Sequence, residues 1–293
     1  MARLAFLGTP EVSVITLMAL LEAGHEIAIV ISGPDARRGR GGEQTPSPVK
    51  QAALAAGLIV SDNLEDLHAT DIEAAVVVAY GRIIPDSLLA AVPMINLHFS
   101  SLPRWRGAAP VERAILAGDS DAGVCVMKIE SELDTGPIYA SATVPTEEKT
   151  ATNLRNELGV LGSHLLLDLL ASGVSALRAP IPQQGEVTYA KKISKAEGVL
   201  DFMRPAEELN RVIRVGIGYT TFNGRRLRIL EASLGPSLAA PPGVVVGSAV
   251  ATSEGSLQMG IVQPEGKRAM SAEDWVNGVQ GRETVRLGVS AKL

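Results

Sequence analysis

The sequence is poor in the residue types that carry disulfide, redox and metal chemistry. Its 293 residues include one cysteine and four histidines. A single cysteine, Cys125, excludes an internal disulfide and a cysteine-based metal site, and its place in the apolar run 124–127 indicates a small core residue. The remaining His, Asp and Glu residues show no metal-ligand spacing, so we expect no metal.

Long apolar runs are also missing. No run approaches the roughly 20 residues that a membrane span needs, and the chain turns at Gly8-Thr9-Pro10 before a signal-peptide core is formed. Hydrophobic residues make up 46% and charged residues 20%, which is typical of a globular protein, and with only 3% aromatics the core must be aliphatic. We expect a cytoplasmic protein with no membrane partner, and a monomer.

The glycine-rich fingerprint of dinucleotide-binding enzymes is absent. Gly-x-Gly-x-x-Gly would follow the first strand of such a fold, and this chain has Gly8-Thr9-Pro10 there. The absence counts against an NAD-dependent oxidoreductase. The turn itself is open to two interpretations, a plain tight turn or a close approach of the backbone to a phosphate.

Strand and helix patterns alternate along the first 173 residues, which predicts an α/β layered sheet. Thr9 is expected to cap the first helix, with Pro10 at its first position and Gly24 at its end. Segment 33–46 has no periodicity and is predicted to be a loop. The predicted strands are 3–7, 26–32, 74–79, 94–98 and 124–129, and the later helices are 48–56, 86–91, 110–117 and 151–171.

After Gly173 the pattern changes. Residues 174–200 look like a linker, and after a helix at 206–215 short apolar runs separated by Gly, Pro and Ser predict a small β-barrel or sandwich. We therefore predict a catalytic domain at 1–173, a linker at 174–200 and a C-terminal domain at 201–293. Residues 191–293 carry 14 Lys+Arg against 10 Asp+Glu (+4), and the rest carries 13 against 22 (−9). This asymmetry suits a shared polyanionic partner, and chance scatter explains it equally well.

Three polar side chains form the most compact reactive set in the sequence. Asn96 and His98 lie two residues apart at the end of predicted strand 94–98, so they share one face, at the edge where open α/β sheets bind ligands. Asn96 offers an amide N–H to a developing oxyanion, and His98 can give or take a proton. Asp134 precedes a glycine turn and, beside His98, would orient the imidazole. Taken singly, a packed histidine and a turn aspartate are the alternatives.

Arginines cluster in the predicted loop 33–46. Arg37, Arg38 and Arg40 lie among glycines, with no apolar residue to anchor them. Loops of this kind can bind the phosphate backbone of a nucleic acid and become ordered on binding, and the alternative is a solvated surface loop.

With these residues assembled, the chain resembles the methionyl-tRNA formyltransferases, within the folate-dependent formyltransferase family. The Asn-x-His and Asp-Thr-Gly motifs are shared by that whole family. The arginine loop, the Pro-Ser-Pro and the late Gly-Lys-x-x-Met are more particular to the enzymes that act on tRNA. The matching segments run nearly end to end: 6–10, 34–35, 39–41, 46–49, 78–81, 96–98, 104–110, 133–136, 263–264, 266–267 and Met270.

The resemblance implies a Rossmann-like catalytic domain followed by an OB-like β-barrel. It implies transfer of a formyl group from 10-formyltetrahydrofolate to the α-amino group of methionyl initiator tRNA, for the initiation of translation. It also implies residue roles: catalysis for Asn96, His98 and Asp134; folate contacts for Tyr80, Gly81, Ser100, Ser101, Leu102 and Pro103; and tRNA contacts for Arg37, Arg38 and Arg40.

The chain departs from the family pattern at three places. Ser101 stands where leucine is usual, Phe99 where a small residue is more common, and segment 215–219 replaces an Asn-Pro-x-Pro-like segment. An amino-sugar nucleotide as acceptor of the same formyl group is the main alternative function. A nucleotide-binding oxidoreductase and a non-catalytic folate- or tRNA-binding module are further alternatives. The missing glycine fingerprint argues against the first and the complete reactive trio against the second.

Overall fold

The chain forms two compact units. The computed structural model describes residues 1–37, 42, 44–177, 179–279 and 285–288. The first unit comprises 1–111, 121–145 and 153–191, and the second comprises 112–120, 146–152 and 192–293. The domain boundaries at residues 173 and 200 stay a prediction.

Eleven strands and five α-helices precede residue 192 in the described part of the chain, together with two 3-10 helices at Leu64–Leu67 and Val174–Ala176. The strands are β1 (Arg3–Gly8), β2 (Glu26–Ile31), β3 (Ala36–Arg37), β4 (Gln44–Thr45), β5 (Val60–Ser61), β6 (Ala74–Val78), β7 (Met94–His98), β8 (Arg106–Gly107), β9 (Asp121–Lys128), β10 (Ile138–Pro145) and β11 (Tyr189–Ala190). The helices are α1 (Glu11–Glu22), α2 (Pro48–Ala55), α3 (Asp86–Ala91), α4 (Pro110–Ala117) and α5 (Ala151–Leu170).

The first unit is built on a seven-stranded sheet with the order β10-β9-β7-β6-β1-β2-β5. Five neighbouring strands, β5, β2, β1, β6 and β7, are parallel to one another. β9 pairs antiparallel with β7, and β10 pairs antiparallel with β9 at the edge of the sheet. The strand order reverses between β1 and β6. In sheets of this type the crevice at that reversal is the usual ligand site. This sheet confirms the predicted Rossmann-like α/β fold.

The central strands are buried throughout, which explains their unbroken aliphatic sequences. Residues 4–7 of β1 and 74–78 of β6 are almost wholly buried, as expected of parallel strands covered on both faces. Cys125 on β9 is 1% exposed, and burial raises the pKa of its thiol to about 11. The thiol is therefore protonated at neutral pH, and the predicted role of Cys125 as a core residue is confirmed.

The turn after β1 corrects one prediction. Helix α1 begins at Glu11, Pro10 occupies the capping position, and no side chain caps the helix. The Thr9 hydroxyl instead donates to the Tyr80 carbonyl oxygen at 3.3 Å and accepts from the Gly33 N–H at 3.4 Å. The predicted Thr9 cap is wrong because this hydroxyl joins the ends of neighbouring strands.

Gly8 lets α1 pack closely against the sheet. A Cβ at this position would lie 2.9 Å from the Ser13 Cβ and 3.0 Å from the Val78 carbonyl oxygen. The Ser13 hydroxyl donates to that same oxygen at 2.7 Å. The geometry favours the tight-turn interpretation of Gly8-Thr9-Pro10.

Several strands of the first unit are not predicted, among them the two-residue strands β5, β8 and β11. β10 is not predicted, because the run from Ile138 to Val144 is interrupted by small and polar residues. β3 and β4 pair with each other inside segment 33–46, which is predicted to be a loop. Strands of two residues are too short for any periodicity to reveal.

The second unit contains a small antiparallel sheet. Its order is β12-β13-β16-β15-β14, with β17 paired to β16. This confirms the predicted β domain after the α/β domain. The strands are β12 (Tyr219–Phe222), β13 (Arg225–Gly235), β14 (Val245–Val246), β15 (Ala249–Ala251), β16 (Ser256–Pro264) and β17 (Met270–Ser271), and the helices are α6 (Ala206–Arg214) and α7 (Ala272–Val279).

The core of the second unit lies between the sheet and its helices. Leu209 of α6 and Trp275 of α7 are buried with strand residues such as Leu257, and the Phe222 and Trp275 rings meet edge to face at 5.2 Å. Helix α7 is not predicted by the sequence analysis, since it spans only eight residues and includes Gly278. Segment 215–219 is a tight connection from α6 to β12 in which Gly216 has φ +85°. None of the described helices is both long and apolar enough to cross a membrane.

A buried hydroxyl pair gives a test of the cap on α2. The Ser47 side chain accepts from the Lys50 N–H at 3.0 Å and lies 2.6 Å from the Ser32 hydroxyl, with both serines buried. Ser47→Ala removes the cap and leaves a buried hydroxyl without its partner. We expect the free energy of unfolding to fall by about 1–3 kcal/mol in urea titrations. Ser87→Ala, on an exposed serine of α3, is the matched control and should leave it within about 0.5 kcal/mol.

An ion pair in the second unit gives a pH prediction. The Arg113 guanidinium and the Ser194 N–H lower the pKa of the Glu197 carboxyl from 4.5 to about 2. A lowered pKa in the folded state stabilises the fold above pH 4.5, and this contribution is lost as the pH falls toward 2. The stability difference between wild type and Glu197→Gln should therefore be full near pH 6 and shrink between pH 4.5 and 2. A difference that is constant over this range in urea titrations would contradict the assignment.

Candidate functional site

The carboxyl end of β7 presents Asn96 and His98 on one face of the sheet. The two residues alternate with buried Ile95 and Leu97, so the strand is fixed by its apolar side chains while the polar ones face the crevice edge. Asn96 is half-buried, and its side chain forms no hydrogen bond to any residue that the structure describes. A half-buried amide that is not used internally is available to a substrate.

His98 is held between two oxygen acceptors. Its side chain is 8% exposed. Nε2 lies 2.9 Å from the Trp105 carbonyl oxygen, and Nδ1 lies 3.5 Å from Asp134 Oδ1. Because both neighbours only accept hydrogen bonds, the imidazolium, which carries a proton on each nitrogen, satisfies both contacts at once. The second contact is longer than a good hydrogen bond, as is common in catalytic sites without substrate.

Asp134 reaches His98 from the loop that connects β9 to β10. Its carboxylate is 12% exposed, and Oδ2 accepts from the Gly107 N–H at 2.7 Å. The residue has φ +53°, a left-handed conformation that aspartate adopts more readily than most residues. Gly136 closes this loop against β9, because a Cβ there would overlap the Lys128 carbonyl oxygen. Asp134 and Gly136 of the Asp-Thr-Gly motif therefore both have a geometric role in placing the carboxylate.

The loop that follows β7 supplies backbone groups to both reactive side chains. Trp105 has φ +63° and offers its carbonyl oxygen to His98, and Gly107 offers its N–H to Asp134. The Arg104 guanidinium lies 4.5 Å from the centre of the Trp105 ring. The structure thus brings the predicted trio Asn96, His98 and Asp134 to one edge of the sheet.

The predicted folate-contacting residues follow two neighbouring strands. Tyr80 and Gly81 come after β6, and Ser100 to Pro103 come directly after β7. Ser100 is 3% exposed, its carbonyl oxygen accepts from the Cys125 thiol, and its hydroxyl has no partner in the described structure. Leu102 is buried over Cys125 and Met127.

Tyr80 is the buried part of the loop after β6. It is 5% exposed, and its hydroxyl accepts from Arg82 Nη1 at 3.2 Å. Burial raises the pKa of its phenol, an effect that Arg82 partly opposes. The hydroxyl is therefore neutral near pH 7. Ser101, by contrast, is exposed. Its backbone packs against Gly123, where a Cβ would lie 2.8 Å from the Ser101 backbone nitrogen.

The predicted tRNA-contacting arginines are only partly described. Arg37 is exposed on β3. Arg38 and Arg40 lie outside the described residues. At the base of this segment, Lys50 Nζ on α2 pairs with Asp35 Oδ1 at 2.7 Å.

Sequence reasoning missed several contacts at the site. The Trp105 carbonyl and the Gly107 N–H carry no signal in the sequence beyond their place in the Arg-Trp-Arg-Gly loop. Gln183, which contacts the Asp134 loop, lies 49 residues further along the chain and in the predicted linker. Within the described residues, no group of three or more His, Cys, Asp or Glu side chains is arranged to hold a metal ion.

Comparison with known proteins matches this geometry to a family. The family model described as "Formyl transferase" matches residues 2–170, and the one described as "Formyl transferase, C-terminal domain" matches residues 192–280. The methionyl-tRNA formyltransferase of Symbiobacterium thermophilum is 42% identical, over 95% of this chain and 93% of the relative. That of Roseobacter denitrificans is also 42% identical, over 94% of this chain and 95% of the relative.

A solved structure shows the same fold. HypX from Aquifex aeolicus, solved in complex with tetrahydrofolic acid, superposes with a TM-score of 0.68 at 17% identity. The match covers 96% of this chain and 48% of HypX, so the chain spans about half the length of that protein. Both family models, the curated relatives and the fold agree, and the chain belongs to the formyl transferase family of enzymes.

Proposed function

We propose that this enzyme transfers a formyl group from 10-formyltetrahydrofolate to the α-amino group of methionyl initiator tRNA, for the initiation of translation. The observation that carries the reaction type is the Asn96 amide, which has no hydrogen-bond partner among the described residues, beside His98, whose two ring nitrogens face acceptors. The acceptor is supported by the 42% identity to proteins named methionyl-tRNA formyltransferase over nearly the whole chain. We further propose a cytoplasmic monomer with domains at 1–173 and 201–293 joined by linker 174–200.

Asn96 and His98 stabilise the charge that forms during transfer. When the amine adds to the formyl carbon, the formyl oxygen becomes an oxyanion, which needs hydrogen-bond donors already in place. The Asn96 amide supplies one donor without breaking an internal contact. Protonated His98 supplies a second donor by turning Nε2–H from the Trp105 carbonyl oxygen, 2.9 Å away, toward the oxyanion.

Asp134 orients the His98 imidazole and accepts the proton of the attacking amine. Its carboxylate is fixed by the Gly107 N–H through Oδ2, which leaves Oδ1 for the imidazole. The attacking amine is neutral and must lose a proton as the new C–N bond forms. Asp134 accepts that proton, directly or through a water molecule. The proton then passes to the folate nitrogen as the bond between that nitrogen and the formyl carbon breaks, so that tetrahydrofolate leaves and Asp134 is ionised again. The step needs neither a covalent enzyme intermediate nor a metal.

The residues after β6 and β7 fit the folate donor, which supplies the formyl group when bound. The buried Ser100 hydroxyl has no partner in the part of the chain that the structure describes, so a polar group of a ligand would complete its hydrogen bonding. Leu102 and Pro103 are buried, and together with Tyr80 they give the region an apolar character suited to a flat aromatic ring. We propose that Tyr80, Gly81 and Ser100 to Pro103 bind the donor.

Two basic segments suit a tRNA acceptor. Residues 191–293 carry a net charge of +4 and the rest −9. We propose that Arg37, Arg38 and Arg40 contact the acceptor end of the tRNA, where phosphates are close to the aminoacyl group that reacts.

The first experiment measures formyl transfer to methionyl initiator tRNA by the wild type and by Asn96→Ala and His98→Ala. Each variant should lose about 10²- to 10³-fold in kcat, because each lacks one oxyanion donor, while folate affinity is retained. His164→Ala, on an exposed residue of α5, is the control and should behave as the wild type. Unchanged kcat in either variant would refute the site. No transfer to tRNA with folate binding retained would favour an amino-sugar acceptor.

The arginine loop is tested by salt dependence. The triple variant Arg37→Gln, Arg38→Gln, Arg40→Gln should raise KM for tRNA and leave KM for the folate donor unchanged. The slope of log Kd for tRNA against log salt should decrease by about 1 for each phosphate that the variant no longer binds. Arg3→Gln, at the opposite end of β1, is the control. A slope equal to that of the wild type would show that the loop does not contact the phosphates.

A further inference from the structure

Gln183 joins the two loops that hold the reactive side chains. Nε2 donates to the carbonyl oxygens of Asp134 and Gly136, both at 2.8 Å. Oε1 accepts from Arg106, from Nε at 3.1 Å and from Nη2 at 2.6 Å. An amide has two donor hydrogens and two acceptor lone pairs, so all four positions are used. Because all of its hydrogen-bonding positions are used, the half-buried Gln183 side chain is held in one orientation between the two loops.

The two donated hydrogen bonds fix the loop of Asp134. They hold the carbonyl groups on either side of Thr135, while Asp134 itself has the left-handed φ of +53°. A non-glycine residue in this conformation is unfavourable and persists only where its surroundings impose it. Gln183 supplies two of those constraints from outside the loop.

The accepted hydrogen bonds fix the facing loop. Arg106 stands between Trp105, whose carbonyl oxygen contacts His98 Nε2, and Gly107, whose N–H contacts Asp134 Oδ2. By holding the Arg106 side chain and the Asp134 backbone with one amide, Gln183 links the positions of both partners of the His98–Asp134 pair.

The rest of the segment supports the same loops. The Thr188 hydroxyl accepts from the Trp105 N–H at 2.9 Å, and β11 pairs with β8. Ile181 pairs with Ile138 at the start of β10. Segment 181–190, which is part of the predicted linker 174–200, thus contacts the loops on both sides of the site, and we call it the strap. Gln183 is the residue of the strap whose side chain contacts the Asp134 loop in the described structure.

We propose that Gln183 is a positioning residue for formyl transfer, which sets the separation of the Asp134 carboxylate from the His98 imidazole through the backbone at 134–136. This inference rests on the proposed role of Asn96, His98 and Asp134. Displacement of a reacting group by about 1 Å can cost about 10²-fold in rate. Gln183 touches neither substrate in this proposal, so its loss should lower kcat and leave both KM values unchanged.

The test is a double-mutant cycle on the full-length enzyme. Gln183→Leu should lower kcat about 10- to 100-fold with each KM within about threefold of the wild type. In an Asp134→Ala background the same change should have no further effect, because Gln183 acts through Asp134. Gln184→Leu, on the exposed neighbour, is the matched control and should have no effect. A kcat equal to that of the wild type, or an equal loss in both backgrounds, would overturn the proposal.

Gln183→Glu separates the two halves of the contact. A carboxylate still accepts from Arg106 and cannot donate to the carbonyls of Asp134 and Gly136. We expect Gln183→Glu to lose kcat as Gln183→Leu does, and it keeps the proposal testable if the leucine variant does not fold. Wild-type kcat in Gln183→Glu would show that the Asp134 loop does not depend on this residue.

A spectroscopic measurement keeps this inference distinct from the proposed reaction. The ¹⁵N resonances of the His98 imidazole, assigned by comparison with His98→Ala, report the hydrogen-bond partners of each nitrogen without any acceptor substrate. They should shift in Gln183→Leu and stay in place in Gln184→Leu. Unshifted resonances would refute the positioning role even if the wild type formylates tRNA, whereas absence of transfer by the wild type with shifted resonances would refute only the proposed acceptor.

Discussion

The site depends on one buried carboxylate and the two groups that satisfy it. Asp134 is 12% exposed, and a carboxylate with so little water needs hydrogen bonds or a positive partner to stay ionised. The Gly107 N–H at 2.7 Å and the His98 imidazole at 3.5 Å provide them. The same contacts fix the imidazole, so the burial of the carboxylate and the geometry of the proposed reaction have one physical origin. Removing either the Gly107 N–H or the His98 imidazole would leave the buried Asp134 carboxylate with only one of these two contacts.

The sheet brings together residues that are far apart in the sequence. β7 and β9 are antiparallel neighbours, with Lys128 opposite Ile95, so the loop that follows β9 starts beside the beginning of β7. Within that loop Asp134 reaches back to His98 at the other end of β7, with Oδ1 3.5 Å from Nδ1. The carboxyl ends of β1, β6 and β7 meet at the crevice, where the Thr9 hydroxyl and the Tyr80 carbonyl join the first two. Asp134 therefore reaches this crevice through the course of its loop, which the Gly107 N–H and the Gln183 side chain hold, and not through the direction of β9.

How far the sequence predicts this architecture depends on the range of the interactions. α3, β7 and α4 are predicted with the bounds they have, because Pro at the starts of the helices and alternating apolar residues in the strand are local signals. The trio is predicted by its motifs and the position of β7. β10, α7 and the paired strands within 33–46 are too short or too irregular to show a period. The Gln183 contacts span 47 to 77 residues and leave no local trace. Thr9 misleads because a threonine before a proline resembles a cap, while its hydroxyl is used across the sheet.

Backbone strain is concentrated where the chemistry is proposed to occur. Five non-glycine residues in the described parts of the chain have a positive φ, and three of them are Ala79, Trp105 and Asp134. Ala79 precedes Tyr80, the Trp105 carbonyl oxygen contacts His98, and Asp134 carries the carboxylate. A left-handed residue is held in place only by its neighbours, and here the neighbours are the strap 181–190 and the ends of the central strands. The largely buried strands β1, β6 and β7 thus provide the stability that lets the adjoining loops keep unfavourable conformations. The loops thereby place the Trp105 carbonyl oxygen next to His98, and the Gly107 N–H next to the Asp134 carboxylate that contacts the same imidazole.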